Sequence, residues 1–99
     1  MVLVRIHKKD GKIIAAVCDN DILGQRIAEG TAQLDLTGDF YNGEEKDDSE
    51  AGDIIRNADH VNLVGARSVK LGIQEGVIDE QNVRTIKGIP HAQAIIVHD

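Results

Sequence analysis

Aromatic side chains are almost absent from this 99-residue chain, which contains one phenylalanine, one tyrosine and no tryptophan. The core must therefore be built from Ile, Val, Leu and Ala. Exposed rings that could stack on the bases of single-stranded nucleic acid are nearly lacking as well. The two aromatic residues, Phe40 and Tyr41, are adjacent in a polar segment. Such a pair either pins its loop to the core or contacts a ligand or partner.

Cysteine and long apolar runs are also scarce. The single cysteine, Cys18, cannot form an internal disulfide and has no histidine or basic residue nearby to activate its thiol, so we expect a small buried hydrophobe. No basic segment precedes an apolar stretch of signal-peptide length, and the longest uncharged apolar run covers only residues 13–18. These absences predict a cytoplasmic protein that makes no membrane contact.

Negative charge is concentrated in one segment of a chain whose formal net charge is −6. Residues 39–53 contain seven acids and one base, and the remainder is neutral with ten of each. We interpret this acidic segment as a solvated loop leading into a helix, with partner or metal binding as alternatives. In the partner alternative, the contact residues are Phe40, Tyr41, Glu44 and Glu45. The neutral remainder can present a basic face, for which the candidates are Arg67, Lys70, Arg84, Lys87 and His91.

The first residues predict a β-hairpin. Residues 2–7 alternate at the period of a strand, and Asp10-Gly11 is a favoured two-residue turn before the antiparallel partner at residues 13–18. Asp19, Asn20 and Asp21 can each cap a helix, which we expect over residues 22–29 before a stop at Gly30. The same three residues could suggest a metal-binding triplet, but further ligands at calcium-loop spacing are missing.

The rest of the chain alternates strands and helices. A second helix, beginning after Asp48 or Ser49, places Ala51, Ile54, Ile55 and Ala58 on one face. We expect further strands at 33–36, 60–64, 83–86 and 92–97, and a third helix at 67–75. The predicted order is β-β-α-β-α-β-α-β-β. This describes one α/β or mixed α+β domain, residues 1–99, with a mixed sheet of five to six strands covered by about three helices.

The third predicted helix carries a glycine on its apolar face. Gly72 lies inside the helix, where glycine costs roughly 1 kcal/mol relative to alanine. Close approach of the helix to the sheet would compensate for that cost. Such contact would also hold the beginning of the helix firmly beside Gly65.

Several separated segments resemble one known family. They are the opening MVLVRIHKKDGKIIAAVCDNDILG, the middle FYNGEE, the stretch NLVGARSVKLGIQEGVID and the closing IKGIPHAQ. Together they look like the archaeal uncharacterised domain family numbered four hundred and twenty-four. The resemblance covers essentially the whole chain and implies an intracellular archaeal protein. It implies no activity and no catalytic residues, because none is assigned to the family.

The turn after the strand at 60–64 is a candidate anion site. Gly65 ends the strand, so the first N–H groups of the next helix would be free to bind an anion beside Arg67 and Ser68. If the loop containing Gly88 and Pro90 meets this turn, His91 would join the cluster. The predicted site residues are Gly65, Ala66, Arg67, Ser68, Lys70 and His91. The alternative is that Ser68 is a local cap and Arg67 is solvated.

Common catalytic and cofactor motifs are missing. We find no dinucleotide fingerprint, P-loop, nucleophile elbow or zinc motif, and we expect no metal, cofactor or catalytic residue. The leading hypothesis is a non-enzymatic module that binds an anionic ligand, with RNA or a ribonucleoprotein in a translation-related setting as the partner. The alternatives are a protein-interaction adaptor or homodimer that uses the acidic segment, and a small phosphate-handling enzyme with His91 as acid or base.

Overall fold

The fold is a mixed α+β domain built on a six-stranded sheet, as seen in a computed structural model that describes residues 1–98. The strand order is β5-β1-β2-β6-β8-β7, and a separate two-stranded hairpin, β3-β4, lies beside the sheet. Only β2 and β6 are parallel, and every other pair in the sheet is antiparallel. The elements are β1 (Val2–Lys9), β2 (Lys12–Asp19), β3 (Arg26–Glu29), β4 (Ala32–Asp35), β5 (Glu44–Lys46), α1 (Asp48–Asn57), β6 (His60–Val64), α2 (Ala66–Gln74), β7 (Arg84–Ile86) and β8 (Ile89–Ile95).

The predicted terminal hairpin is confirmed. Asp10 and Gly11 both have positive φ, at 52° and 76°, and join β1 to β2. Lys87 and Gly88 form an equivalent two-residue turn, with φ of 50° and 78°, between β7 and β8. Such turns match the right-handed twist of the strands that they connect. The last strand therefore begins at Ile89, three residues earlier than residues 92–97 suggested.

Both helices cover the same face of the sheet. Their buried residues form the main core with alternate residues of β1, β2, β6 and β8, including Val4, Val17 and Leu63. On α1, Ala51 and Ile55 are buried and Ile54 is half-buried, as the apolar spacing predicts. The cap of α1 is Asp47, one residue earlier than expected, and its carboxylate accepts the N–H of Glu50 at 2.8 Å.

The helix predicted over residues 22–29 is wrong. A turn and strand β3 occupy that stretch, and β3 pairs with β4 around the turn at Gly30, where φ is 61°. Leu23 and Ile27 are four residues apart, a spacing that fits a helix but also lets a turn and a strand face the same apolar surface. Residues 1–98 therefore contain two α-helices instead of the predicted three, with one additional short 3-10 helix at Glu80–Asn82, and the predicted element order is not confirmed.

The hairpin covers one end of the second face of the sheet. Ile27 and Leu36 pack there with Cys18, Val64 and Ile86 to form a smaller, second core. Cys18 is fully buried, as predicted, and burial together with the nearby carboxylates of Asp19 and Asp21 raises the pKa of its thiol to about 12. An inert thiol follows from that environment.

Neither α1 nor α2 has the length and apolar composition needed to cross a membrane, and residues 1–98 contain no other α-helix.

Candidate anion-binding surface

The beginning of α2 is already occupied by a carboxylate of the protein itself. Asp19 accepts hydrogen bonds from the N–H of Arg67 at 3.1 Å, the N–H of Ser68 at 2.9 Å and the hydroxyl of Ser68 at 2.8 Å. Asp19 and Ser68 are both buried. The expectation that these N–H groups are free is therefore wrong, because an internal anion satisfies them.

Parallel pairing of β2 and β6 explains why Asp19 lies at this position. Cys18 is in register with Val64, so the next residue of each strand, Asp19 and Gly65, reaches the same edge of the sheet. Gly65 has φ of +107°, and a Cβ built on it would lie 2.2 Å from the carboxyl carbon of Asp19. Glycine is required here by both backbone conformation and space.

The predicted site residues lie on two different sides of the sheet. Arg67 and Lys70 are exposed on α2 and line a groove together with Asp48, the first residue of α1. The beginning of β8 does meet the Gly65 turn, since the N–H of Gly65 donates to the carbonyl of Pro90 at 2.8 Å. His91, however, alternates with Ala92, which lies in the core beneath the helices. The His91 side chain is therefore directed to the opposite side of the sheet.

The side of the sheet that the helices do not cover carries four cationic side chains of the strands, those of Arg5, Lys9, Lys12 and Arg84. Strand register arranges the side chains of this side in rows that cross the sheet. One row runs from Arg5 on β1 through Ala16 on β2 and Asn62 on β6 to Gln93 on β8. In another row, Arg84 on β7 is opposite His91 on β8. We define this surface as the open face. Its side chains beyond the hairpin-covered end are those of Arg5, His7, Lys9, Lys12, Ile14, Ala16, His60, Asn62, Arg84, His91, Gln93 and Ile95. Ala16 is fully buried among its neighbours.

The open face is positively charged although the chain is acidic. Arg5, Lys9, Lys12 and Arg84 are exposed and carry four formal positive charges. In the described part of the chain, no Asp or Glu occupies a position on this side of β1, β2, β6, β7 or β8. On the edge strand β5, Glu45 is opposite Leu3 and faces this side. Three histidines add hydrogen-bonding imidazoles, and Asn62 and Gln93 add amides. A polar sheet face of this composition is suited to binding anionic groups.

His91 lies where the open face meets the second core. Burial and the nearby guanidinium of Arg84 lower the pKa of its imidazole. The neutral ring can both donate and accept a hydrogen bond, and an anion bound beside it would raise its pKa again. His91 thus remains a candidate contact residue, with Arg84 as its neighbour in place of Arg67.

Sequence reasoning overlooked most of the open face. Of its charged and imidazole residues, only Arg84 and His91 were among the candidates for a basic face. The signal was available in the predicted strands, because alternation at residues 2–7 places Arg5 and His7 on one side, and the strand at 60–64 places His60 and Asn62 on one side. To recognise that these side chains share one surface, the order of the strands in the sheet must be known, and a single sequence does not reveal that order.

The acidic segment lies beside β1, and its first residues contact Arg5 and His7 of the open face. It contributes the short edge strand β5 and the first turn of α1. Its single base, Lys46, lies 3.3 Å from Glu44 and 3.7 Å from Glu50. The interpretation as a solvated loop and helix start is confirmed, with β5 as an addition that the sequence did not indicate. Within residues 1–98, no cluster of three or more His, Cys, Asp or Glu side chains could hold a metal ion.

Removing charge from the acidic segment should have little effect on folding. The double variant Glu44→Gln, Glu45→Gln keeps both side-chain lengths, and exposed charges each contribute little, about 0–1 kcal/mol. We expect the free energy of unfolding in urea to change by less than about 1 kcal/mol. Loss of the folded state would contradict this expectation. Asp47 is left unchanged because it caps α1.

The chain belongs to a family described as "Protein of unknown function (DUF424)", which matches residues 7–97. It is also similar to a solved structure described as an uncharacterized conserved protein from the archaeon Methanopyrus kandleri. That similarity has a TM-score of 0.84 at 25% sequence identity and covers 99% of this chain and 94% of the other. No curated protein sequence matches the chain.

Proposed function

We propose that this protein is a non-enzymatic binding module for an anionic polymer, with RNA or a ribonucleoprotein in a translation-related setting as the partner. The binding surface in this proposal is the open face. The observation that carries it is the distribution of charge. On β1, β2, β6, β7 and β8 this face has four exposed cations and no acid, one acid (Glu45) faces the same side on the edge strand β5, and the surplus of acids lies in residues 39–53.

The dimensions of the open face suit a polymer better than a small anion. Lys12 on β2 and Arg84 on β7 are separated by β6 and β8. Three inter-strand steps of about 4.8 Å place their strands roughly 14 Å apart. One phosphate cannot contact both cations, whereas a polyanionic strand that crosses the sheet can.

Binding through this face predicts a specific pattern of losses. The double variant Lys12→Gln, Arg84→Gln should weaken binding of a short RNA about tenfold at low salt. The slope of log affinity against log salt should also become shallower by about one to two, because fewer counterions are released. Fluorescence anisotropy of a labelled RNA at several salt concentrations measures both quantities.

A matched control lies on the outer surface of α2. The double variant Arg67→Gln, Lys70→Gln also removes two positive charges, but it removes them from the helix-covered side of the sheet. We expect its affinity to fall by less than about threefold, since only the long-range field changes. An equal loss in both double variants would show that net charge, rather than the open face, determines binding. Absence of RNA binding by the unmodified protein would reject the proposed function.

A further inference from the structure

We infer that the anionic polymer is single-stranded and that one of its bases stacks on the ring pair formed by His7 and Phe40. This inference rests on the proposed function and adds the class of ligand. Both aromatic residues of the chain lie at this one place beside the open face.

The rings of His7 and Phe40 are parallel and in contact. Their centroids are 4.4 Å apart, and their planes differ by 13°. The Nε2 of His7 lies 2.8 Å from the carbonyl oxygen of Phe40, so it donates a hydrogen bond to that oxygen and fixes the imidazole in the plane of the stack. Phe40 is nevertheless 43% exposed. A flat, fixed ring that remains in solvent can accept a base on its exposed surface.

The neighbouring residues hold this ring pair rigidly. Tyr41 contacts Phe40 edge to face, with centroids 5.0 Å apart, and packs against the second core. Burial raises the pKa of Tyr41 to about 12. On the other side, the Arg5 guanidinium donates to the carbonyl oxygens of Asp39 at 3.1 Å and Asn42 at 3.4 Å. The loop is thereby fastened to β1, which limits the ordering that a bound base would impose.

The ring pair is continuous with the cationic surface. Arg5 and Lys9 lie two residues before and two residues after His7 on β1, so both cations are on the same side of the sheet as His7. A polymer whose phosphates contact these cations has its bases within reach of the rings. In a nucleic-acid duplex the bases remain stacked on each other, whereas a single-stranded nucleic acid can turn one base out onto a protein ring.

Matched ligands test the inference. The unmodified protein is titrated with an eight-nucleotide single-stranded RNA, the same strand with abasic ribose at every position, an RNA duplex and inorganic polyphosphate. We expect the base-containing strand to bind about tenfold more tightly than the abasic strand, as the usual contribution of one stacked base implies. We also expect upfield shifts of the Phe40 ring protons and a change in the fluorescence of Tyr41, the only Tyr in a chain without Trp.

Variants of the ring pair complete the test. Phe40→Ala and Phe40→Leu should each reduce the affinity for the base-containing strand about tenfold and leave the abasic strand unaffected. The control Ile6→Ala removes an exposed apolar side chain of β1 from the side of the sheet that the helices cover, and it should change neither affinity. The inference is overturned if base-containing and abasic strands bind equally, if the duplex binds as tightly as the single strand, or if Phe40→Leu has no effect. In those cases the proposed function survives; if no RNA or polyphosphate binds, both fail.

Discussion

Gly72→Leu is expected to lower the free energy of unfolding by about 3 kcal/mol, at the upper end of the usual range for overpacking. A Cβ built on Gly72 would lie 2.4 Å from Cδ1 of Leu63 and 2.8 Å from Cγ1 of Ile78, and both of those residues are buried. The better helix propensity of leucine would return roughly 1 kcal/mol at most. Urea unfolding followed by circular dichroism measures the difference.

A control for this variant is available at an open position. Gly38 has no atom within 4 Å of an ideal Cβ and does not have positive φ. Gly38→Leu should therefore change the free energy of unfolding by less than about 0.5 kcal/mol, as is usual for surface substitutions. If Gly72→Leu were as mild as Gly38→Leu, the close approach of α2 to the sheet would not constrain this position.

Asp19→Ala is expected to destabilise the protein by about 3 kcal/mol. The substitution leaves two backbone N–H groups and the hydroxyl of Ser68 without their acceptor, and each unsatisfied buried group costs about 1–3 kcal/mol unless water reaches it. Asp19→Asn keeps one acceptor oxygen, so its loss should be smaller. The melting temperatures of both variants, measured by calorimetry, give the order.

The cap of the other helix serves as the comparison for Asp19. Asp47 accepts one backbone N–H, that of Glu50, at an exposed position. Asp47→Ala should cost about 1 kcal/mol, the typical value for an N-cap. Equal losses for Asp19→Ala and Asp47→Ala would mean that the buried hydrogen bonds of Asp19 contribute no more than an ordinary cap.

Local patterns in the sequence predicted those elements whose signals are local. The Asp10-Gly11 turn, the apolar face of α1 and the tight position of Gly72 all depend on residues close in the chain, and the structure has each of them. The stretch at 22–29 failed because its apolar spacing fits two structures. The choice of a hairpin over a helix depends on a surface, that of Cys18 and Val64, which other parts of the chain provide.

The site was harder to predict than the fold because the residues that come together in it are distant in sequence. Nothing near Gly65 indicates that Asp19 will satisfy the first N–H groups of α2, since parallel pairing of β2 and β6 brings them together. The open face has the same character. Arg5 and Arg84 share a side of the sheet only because β2, β6 and β8 lie between their strands in one order.

The most direct test of binding through the open face is an NMR titration of the isotopically labelled protein with a short single-stranded RNA. We predict that the amide resonances of Arg5, His7, Asn62, His91 and Gln93 shift together, since they lie along the strands of the open face. Resonances of residues 66–74, on the helix-covered side, should change little. Shifts confined to residues 65–69 would instead place the anion at the beginning of α2, and an unchanged spectrum would contradict RNA binding altogether.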